Sequence, residues 1–162
     1  AVLPPITDYF TSTFVNRIAR KNGNVDIKSK PAIVYNMIEK YIYNIVDKME
    51  NKCNIFPYFK HFNKPEEIGK AASRIINLNA QFGEGWNIPG DYANFAKDGI
   101  NRVVSLQPFG CIANQVISKG IEKRTRELYP NLNLLFLDFD SGMSEANIFN
   151  RLHFMIENSV EK

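Results

Sequence analysis

The hydrophobic pattern divides the chain into a helical first part and a second part in which helices alternate with short apolar runs. Tyr9, Phe10, Phe14 and Ile18 recur at helical spacing and predict a helix ending before Gly23. After a polar loop over 22–30, Pro31 stands near the first turn of a longer helix. Its stripe is Val34, Met37, Ile38, Tyr41, Ile42, Ile45 and Met49, which predicts a core-facing helix. Residues 53–62 crowd four aromatic rings around Pro57. Such rings can stack on bases, cover a neighbouring domain or fill a core, and no glycine-aromatic RNA-binding motif accompanies them.

Pro65 opens a helix predicted to run to about Asn77, with Ile68, Ala72, Ile75 and Ile76 on one face. Residues 82–86 form a glycine-flanked turn, after which Asn87 is expected to cap a helix with Pro89 in its first turn and Gly99 at its end. Arg102 to Gln107 reads as a buried strand stopped by Pro108, and Leu134 to Phe139 as a second one. Between them Cys111 to Tyr129 reads as one helix, stopped by Pro130. Gly120 within it costs about 1 kcal/mol relative to alanine, which close approach to the sheet would explain. Ser144 is expected to cap a last helix with Ile148, Leu152, Met155 and Ile156 on its inner face.

Strand, helix, strand, helix in that order predicts a parallel unit with a right-handed crossover. The expected fold class is α/β, helix-rich, with a small parallel Rossmann-like βαβ sheet. Two strands alone are marginal in water. Further short strands are therefore expected near Asn54-Ile55 or Ala80 to Phe82, or else pairing with a second chain as a homodimer.

Composition narrows the class. With 44% hydrophobic and 23% charged residues the chain suits one globular domain or two small ones, and nine glycines with eight prolines argue against a coiled coil. No apolar run approaches the ~18 residues of a membrane helix. No leader pattern opens the chain, so a cytoplasmic location without membrane partners is expected. A net charge of +3 is too small to argue for nucleic acid. Residues 1–64 hold ten Lys and Arg against five Asp and Glu, whereas 65–162 hold ten against twelve. This shift predicts a boundary near Asn63-Lys64-Pro65, with a helical segment over 1–64 and the α/β unit over 65–162. A solvated basic face would account for the surplus.

Parallel strands bring the loops that follow them to one sheet edge, where α/β folds place ligands. Those loops are Pro108-Phe109-Gly110-Cys111 and Asp138-Phe139-Asp140-Ser141-Gly142. Cys111 stands at a strand-to-helix junction, where outward N–H groups favour a thiolate and suit a metal ligand or a nucleophile. It also suits a small residue filling the start of a helix. A nucleophile needs a base, and the only histidines are His61 and His153. Two cysteines without C-x-x-C spacing cannot build a four-cysteine site alone. Asp138-Phe139-Asp140 resembles the paired aspartates of haloacid-dehalogenase-like phosphatases, but their later Ser/Thr, Lys and acids do not follow here. Gly69-Lys70 lacks the remaining residues of a phosphate-binding loop.

Three strings carry a denser likeness: GEGW from Gly83 to Trp86, GINRVVSLQPFGCIANQVISKGIEK from Gly99 to Lys123, and YPNLNLLFLDFDSGMSEANIFNRLHFM from Tyr129 to Met155. Over about residues 65–157 the chain resembles the C-terminal, dehydratase-subunit-like region of large CoA-substrate-specific enzyme activases, the activase relatives of 2-hydroxyacyl-CoA dehydratases. The resemblance implies an incomplete half of a dehydratase-subunit-like domain, excised from a protein with an ATPase-like activator at its front end. It implies a [4Fe-4S] cluster in that parent, with Cys111 of the Pro108 to Cys111 turn as one ligand and Cys53 structural. Pro108, Phe109, Gly110, Asp138, Asp140 and Ser141 would line the cofactor or CoA-substrate cavity. The implied partners are the rest of the parent chain and a dehydratase, and the 162 residues alone are expected to be catalytically silent. A docking module, with the aromatic segment as contact surface, and a small CoA- or nucleotide-binding α/β domain are the alternatives.

Overall fold

The computed structural model describes residues 3, 32–57, 59, 63–80 and 85–157. The first predicted helix, the 82–84 part of the glycine-flanked turn and His61 lie outside these residues. Within them the elements are α1 (Ala32–Cys53), α2 (Pro65–Ala72), α3 (Asn87–Lys97), β1 (Arg102–Pro108), a π-helical segment (Ala113–Ser118), α4 (Glu122–Leu128), β2 (Asn133–Phe139) and α5 (Glu145–Glu157). No described helix is long and apolar enough to cross a membrane.

α1 forms where the helical period predicts it, but its stripe does not face the core. Met37, Ile38, Tyr41, Ile45 and Met49 are all exposed. Periodicity identifies the apolar side of a helix without specifying what covers it. The Tyr43 hydroxyl donates to the Glu66 carboxylate at 3.1 and 3.2 Å, which ties α1 to the start of α2.

α2 begins at Pro65 with Glu66 and Glu67 in its first turn, where proline loses no bond and carboxylates favour the helix dipole. It ends at Ala72, short of Asn77, because the Ser73 hydroxyl donates back to Lys70 O and the chain turns through residues 73–75. Its predicted inner face holds, with Ile68, Ala72 and Ile75 buried. Trp86, fully buried, packs with Ile68 and Ala72. α3 starts from Trp86 rather than an asparagine cap: Asn87 lies inside the helix, and its buried Oδ1 has no partner among the described residues. Gly99 closes α3 as predicted. Its φ of 77° lets Ile100 N–H reach Phe95 O at 2.8 Å.

β1 and β2 pair in parallel from Arg102↔Asn133 to Pro108↔Phe139, so the fold is α/β. Among the described residues the sheet has these two strands only, and Asn54-Ile55 is a turn. β2 is covered on both faces, at Leu134 and Leu137, whereas β1 is covered on one face only, contrary to the sequence expectation. In β1 the side chains of Val103, Ser105 and Gln107 are covered while those of Val104 and Leu106 are exposed. Val103 and Leu134 join Tyr92, Ala93, Ile117 and Ile121 in the main core on the inner face. On the outer face α5 covers β2 but not β1: Leu137 is 2% exposed, and its register neighbour Leu106 is 54% exposed. Met155 faces inward on α5, whereas Ile156, expected there too, is exposed.

The predicted single helix over Cys111 to Tyr129 is interrupted. Its first part is π-helical, with Lys119 N–H reaching Asn114 O five residues back, and a turn at Ile121 precedes α4. A Cβ built on Gly120 meets nothing within 4 Å, so close approach to the sheet does not explain that glycine.

Candidate functional site at the carboxyl edge of the sheet

The two loops after the strands are bonded to each other. Phe109 N–H donates to Phe139 O at 2.9 Å, extending the ladder one step past Pro108. Gly110, at φ 78°, then reverses the chain, with Cys111 N–H returning to Pro108 O at 3.1 Å. The second loop turns on Asp140, whose Oδ1 accepts from Gly142 N–H at 2.8 Å.

Between the loops and the π-helical segment lies a cavity of about 480 Å3. Phe109, Gly110, Asp138 and Asp140, all singled out from sequence, line it together with Phe139. Pro108, Cys111 and Ser141 sit in the same loops but do not line it. Gln107, Gln115 and Lys119 complete the wall and were not foreseen. The period-two alternation of RVVSLQ carries the signal for Gln107: it places the amide on the same face as Val103 and Ser105, at the end nearest the loops.

Lys119 Nζ lies 2.7 Å from Asp138 Oδ1 and 3.0 Å from Gln115 Oε1, and Gln115 Nε2 donates to Asp138 Oδ1 at 3.2 Å. The Lys119 hydrogen bond, then that from Gln115, holds the Asp138 carboxyl below its usual pKa. One ammonium against Asp138 and Asp140 leaves this wall short of positive charge. Such a wall disfavours phosphate groups and favours hydroxyl or amine donors.

Beneath the cavity runs a buried polar network. Tyr92 and Ser118 hydroxyls lie 2.6 Å apart, Ser105 and Ser118 hydroxyls 3.0 Å apart, and Gln107 Nε2 donates to Ser105 at 2.9 Å and Ser118 at 3.3 Å. Burial pushes the Tyr92 phenol above its usual pKa, against the smaller opposing effect of the serine hydrogen bonds. Gln107 is 0% exposed, and its Oε1 has no partner among the described residues. Whichever way the amide is turned, one polar atom faces the serines and the other is left unpaired. With no exposed surface, the orphaned atom lies just behind the cavity lining, and leaving it unmet costs about 1–3 kcal/mol.

Cys111 is half-buried, and the Asn114 amide donates to its Sγ at 3.2 Å. A [4Fe-4S] cluster takes four ligands. Among the described residues no group of three or more His, Cys, Asp or Glu is placed to hold a metal ion, so their donor set does not fit a self-contained cluster. His153, one of the two bases considered for a nucleophilic cysteine, is exposed on α5 and pairs with Glu157 at 3.3 Å. A second cavity, of about 580 Å3, lies over Lys119, Gly120, Glu122, Lys123, Arg126 and Glu127. It is an open helix surface without a buried orphan among its lining residues.

Comparison with protein-family models, with curated proteins and with solved structures finds no match to this chain.

Proposed function

We propose that this chain is a ligand-binding α/β module whose carboxyl-edge cavity receives the acyl end of a hydroxyacyl thioester, within a larger activase-like protein of the cytoplasm. The observation that carries the reading is the cavity between the two loops, with the unpaired amide of Gln107 buried just behind its lining. A hydroxyl both donates and accepts, so a 2-hydroxyacyl group would satisfy that amide in either orientation once the side chain turns into the cavity. The exposed rings of Phe109 and Phe139 supply apolar surface beside it. A volume of about 480 Å3 suits an acyl-pantetheine arm. The phosphates of CoA would stay outside, away from Asp138 and Asp140. The choice of a CoA thioester among hydroxyl-bearing ligands rests on the likeness of the three sequence strings.

Calorimetric titration with a 2-hydroxyacyl-CoA, the matching acyl-CoA without the hydroxyl, and free CoA tests the proposal. Binding of the hydroxyacyl form at least about tenfold tighter than the other two, lost in Gln107→Leu, is expected. Equal binding of all three, or none near millimolar concentration, overturns it. An iron–sulfur role is narrower: Cys111 would supply one ligand of a cluster completed by another polypeptide. Iron retained unchanged by a Cys111→Ala form of the full-length protein would remove that assignment.

A further inference from the structure

The two free edges of the sheet are treated differently. The bonds Asn133 N–H to Asn101 O and Phe109 N–H to Phe139 O fix which residues of each strand face the other. In β2 the groups of Leu134 and Phe136 consequently point to the outer edge. There Arg126 Nη2, from α4, donates to Leu134 O at 3.1 Å, and Arg151 Nη2, from α5, donates to Phe136 O at 2.7 Å. Guanidinium groups reaching in from two helices thus occupy the β2 edge. On β1 the outward N–H and C=O groups belong to Arg102, Val104 and Leu106. No described residue bonds to them, and Val104 and Leu106 beside them are exposed. An open edge with aliphatic side chains is a template for another strand.

We infer that β1 is a homodimerisation edge, pairing antiparallel with β1 of a second copy of this chain. The blocked β2 edge leaves β1 as the only open strand edge among the described residues, so β1 must meet β1. Two copies related by a twofold axis pair such strands antiparallel. Centred on Val104, this register sets Val104 opposite the partner's Val104, and Arg102 opposite the partner's Leu106. The two arginines are kept apart, each set against the partner's Leu106 on the outer face of the sheet. Val104 and Leu106 of both copies become one apolar strip beside Leu137. The product is a closed four-stranded sheet, β2-β1-β1-β2, which answers the marginal stability of two strands.

Sedimentation velocity of the 162-residue chain over a concentration series tests this, with hydrogen exchange of the Val104 and Leu106 amides in parallel. A dimer with slow exchange at both amides is expected. Val104→Lys should raise its dissociation constant by at least about tenfold. Val104 is exposed, so near-UV circular dichroism should match the wild type and separate lost pairing from lost folding. A monomer at about 100 μM, well above the dissociation constants of specific pairs, with both amides exchanging freely, overturns the inference. So does a dimer that persists undiminished in Val104→Lys.

Discussion

The Tyr92 and Ser118 hydroxyls lie 2.6 Å apart in the core, joining α3 to the π-helical segment directly beneath the carboxyl-edge cavity. This bond belongs to the scaffold under the site. Tyr92→Phe leaves Ser118 with Ser105 and Gln107, so the expected loss is about 1 kcal/mol in urea unfolding at neutral pH.

The same tyrosine gives a pH signature. Its folded pKa is raised by burial, so the unfolded chain ionises first as pH rises. Its stability contribution is fully present below the ordinary tyrosine value of about 10 and is lost as pH climbs through the higher folded value. Unfolding midpoints measured from neutral to strongly alkaline pH should fall more steeply in the wild type than in Tyr92→Phe. Parallel curves would show that Tyr92 titrates as it would in an open chain.

Asp138 behaves in the opposite sense. With its folded pKa lowered chiefly by Lys119, its contribution is present above the ordinary carboxylate range and fades as pH falls through the folded value. Lys119→Ala should move the Asp138 carboxyl upward in an NMR titration. Because the pair is exposed, the accompanying change in stability should stay below about 1 kcal/mol.

Two glycines should respond in opposite directions to alanine. At Gly90 a Cβ would lie 2.4 Å from Ile68 Cγ2 and 2.8 Å from Ile68 O, so α2 and α3 would have to separate. A loss of about 1–3 kcal/mol in chemical denaturation is expected. At Gly120 the space is open, and Gly120→Ala should gain about 0.5–1 kcal/mol from backbone entropy alone.

Removing the edge guards should change the order of association. Arg126→Ala with Arg151→Ala frees Leu134 O and Phe136 O, giving each copy two open edges where the wild type has one. Light scattering should then report species larger than dimers, growing with concentration.

The sequence patterns that survived are those set by local chemistry. Pro65, Gly99 and the apolar runs 102–107 and 134–139 located a helix start, a helix end and two parallel strands, because each acts through its own backbone or through period two. The exposed stripe of α1 and the half-covered β1 were not legible, because covering a face is a tertiary event. At the site, the loop residues Phe109, Gly110, Asp138 and Asp140 followed from parallel topology. Gln115 and Lys119 did not, since their meeting with Asp138 depends on how the intervening helix is wound. The orphaned amide of Gln107 was legible only as a polar residue at a core-facing position.

That winding has its own arithmetic. Ala113, Ile117, Ile121 and Thr125 are buried at successive intervals of four residues. In a helix of 3.6 residues per turn, twelve residues at about 100° each carry a contact line about 120° round the axis, which would swing Thr125 out to solvent. The wide turn at Ala113–Ser118 cancels part of that drift and keeps the line on the sheet. The segment thus holds one residue more than a regular helix of the same phase would. Excising exposed Val116 should leave a shorter helix that is regular throughout, with α4 still in phase and the Gln115–Lys119 pairing over Asp138 undone. The site's polar cluster is in this sense a product of length, set by a single surplus residue.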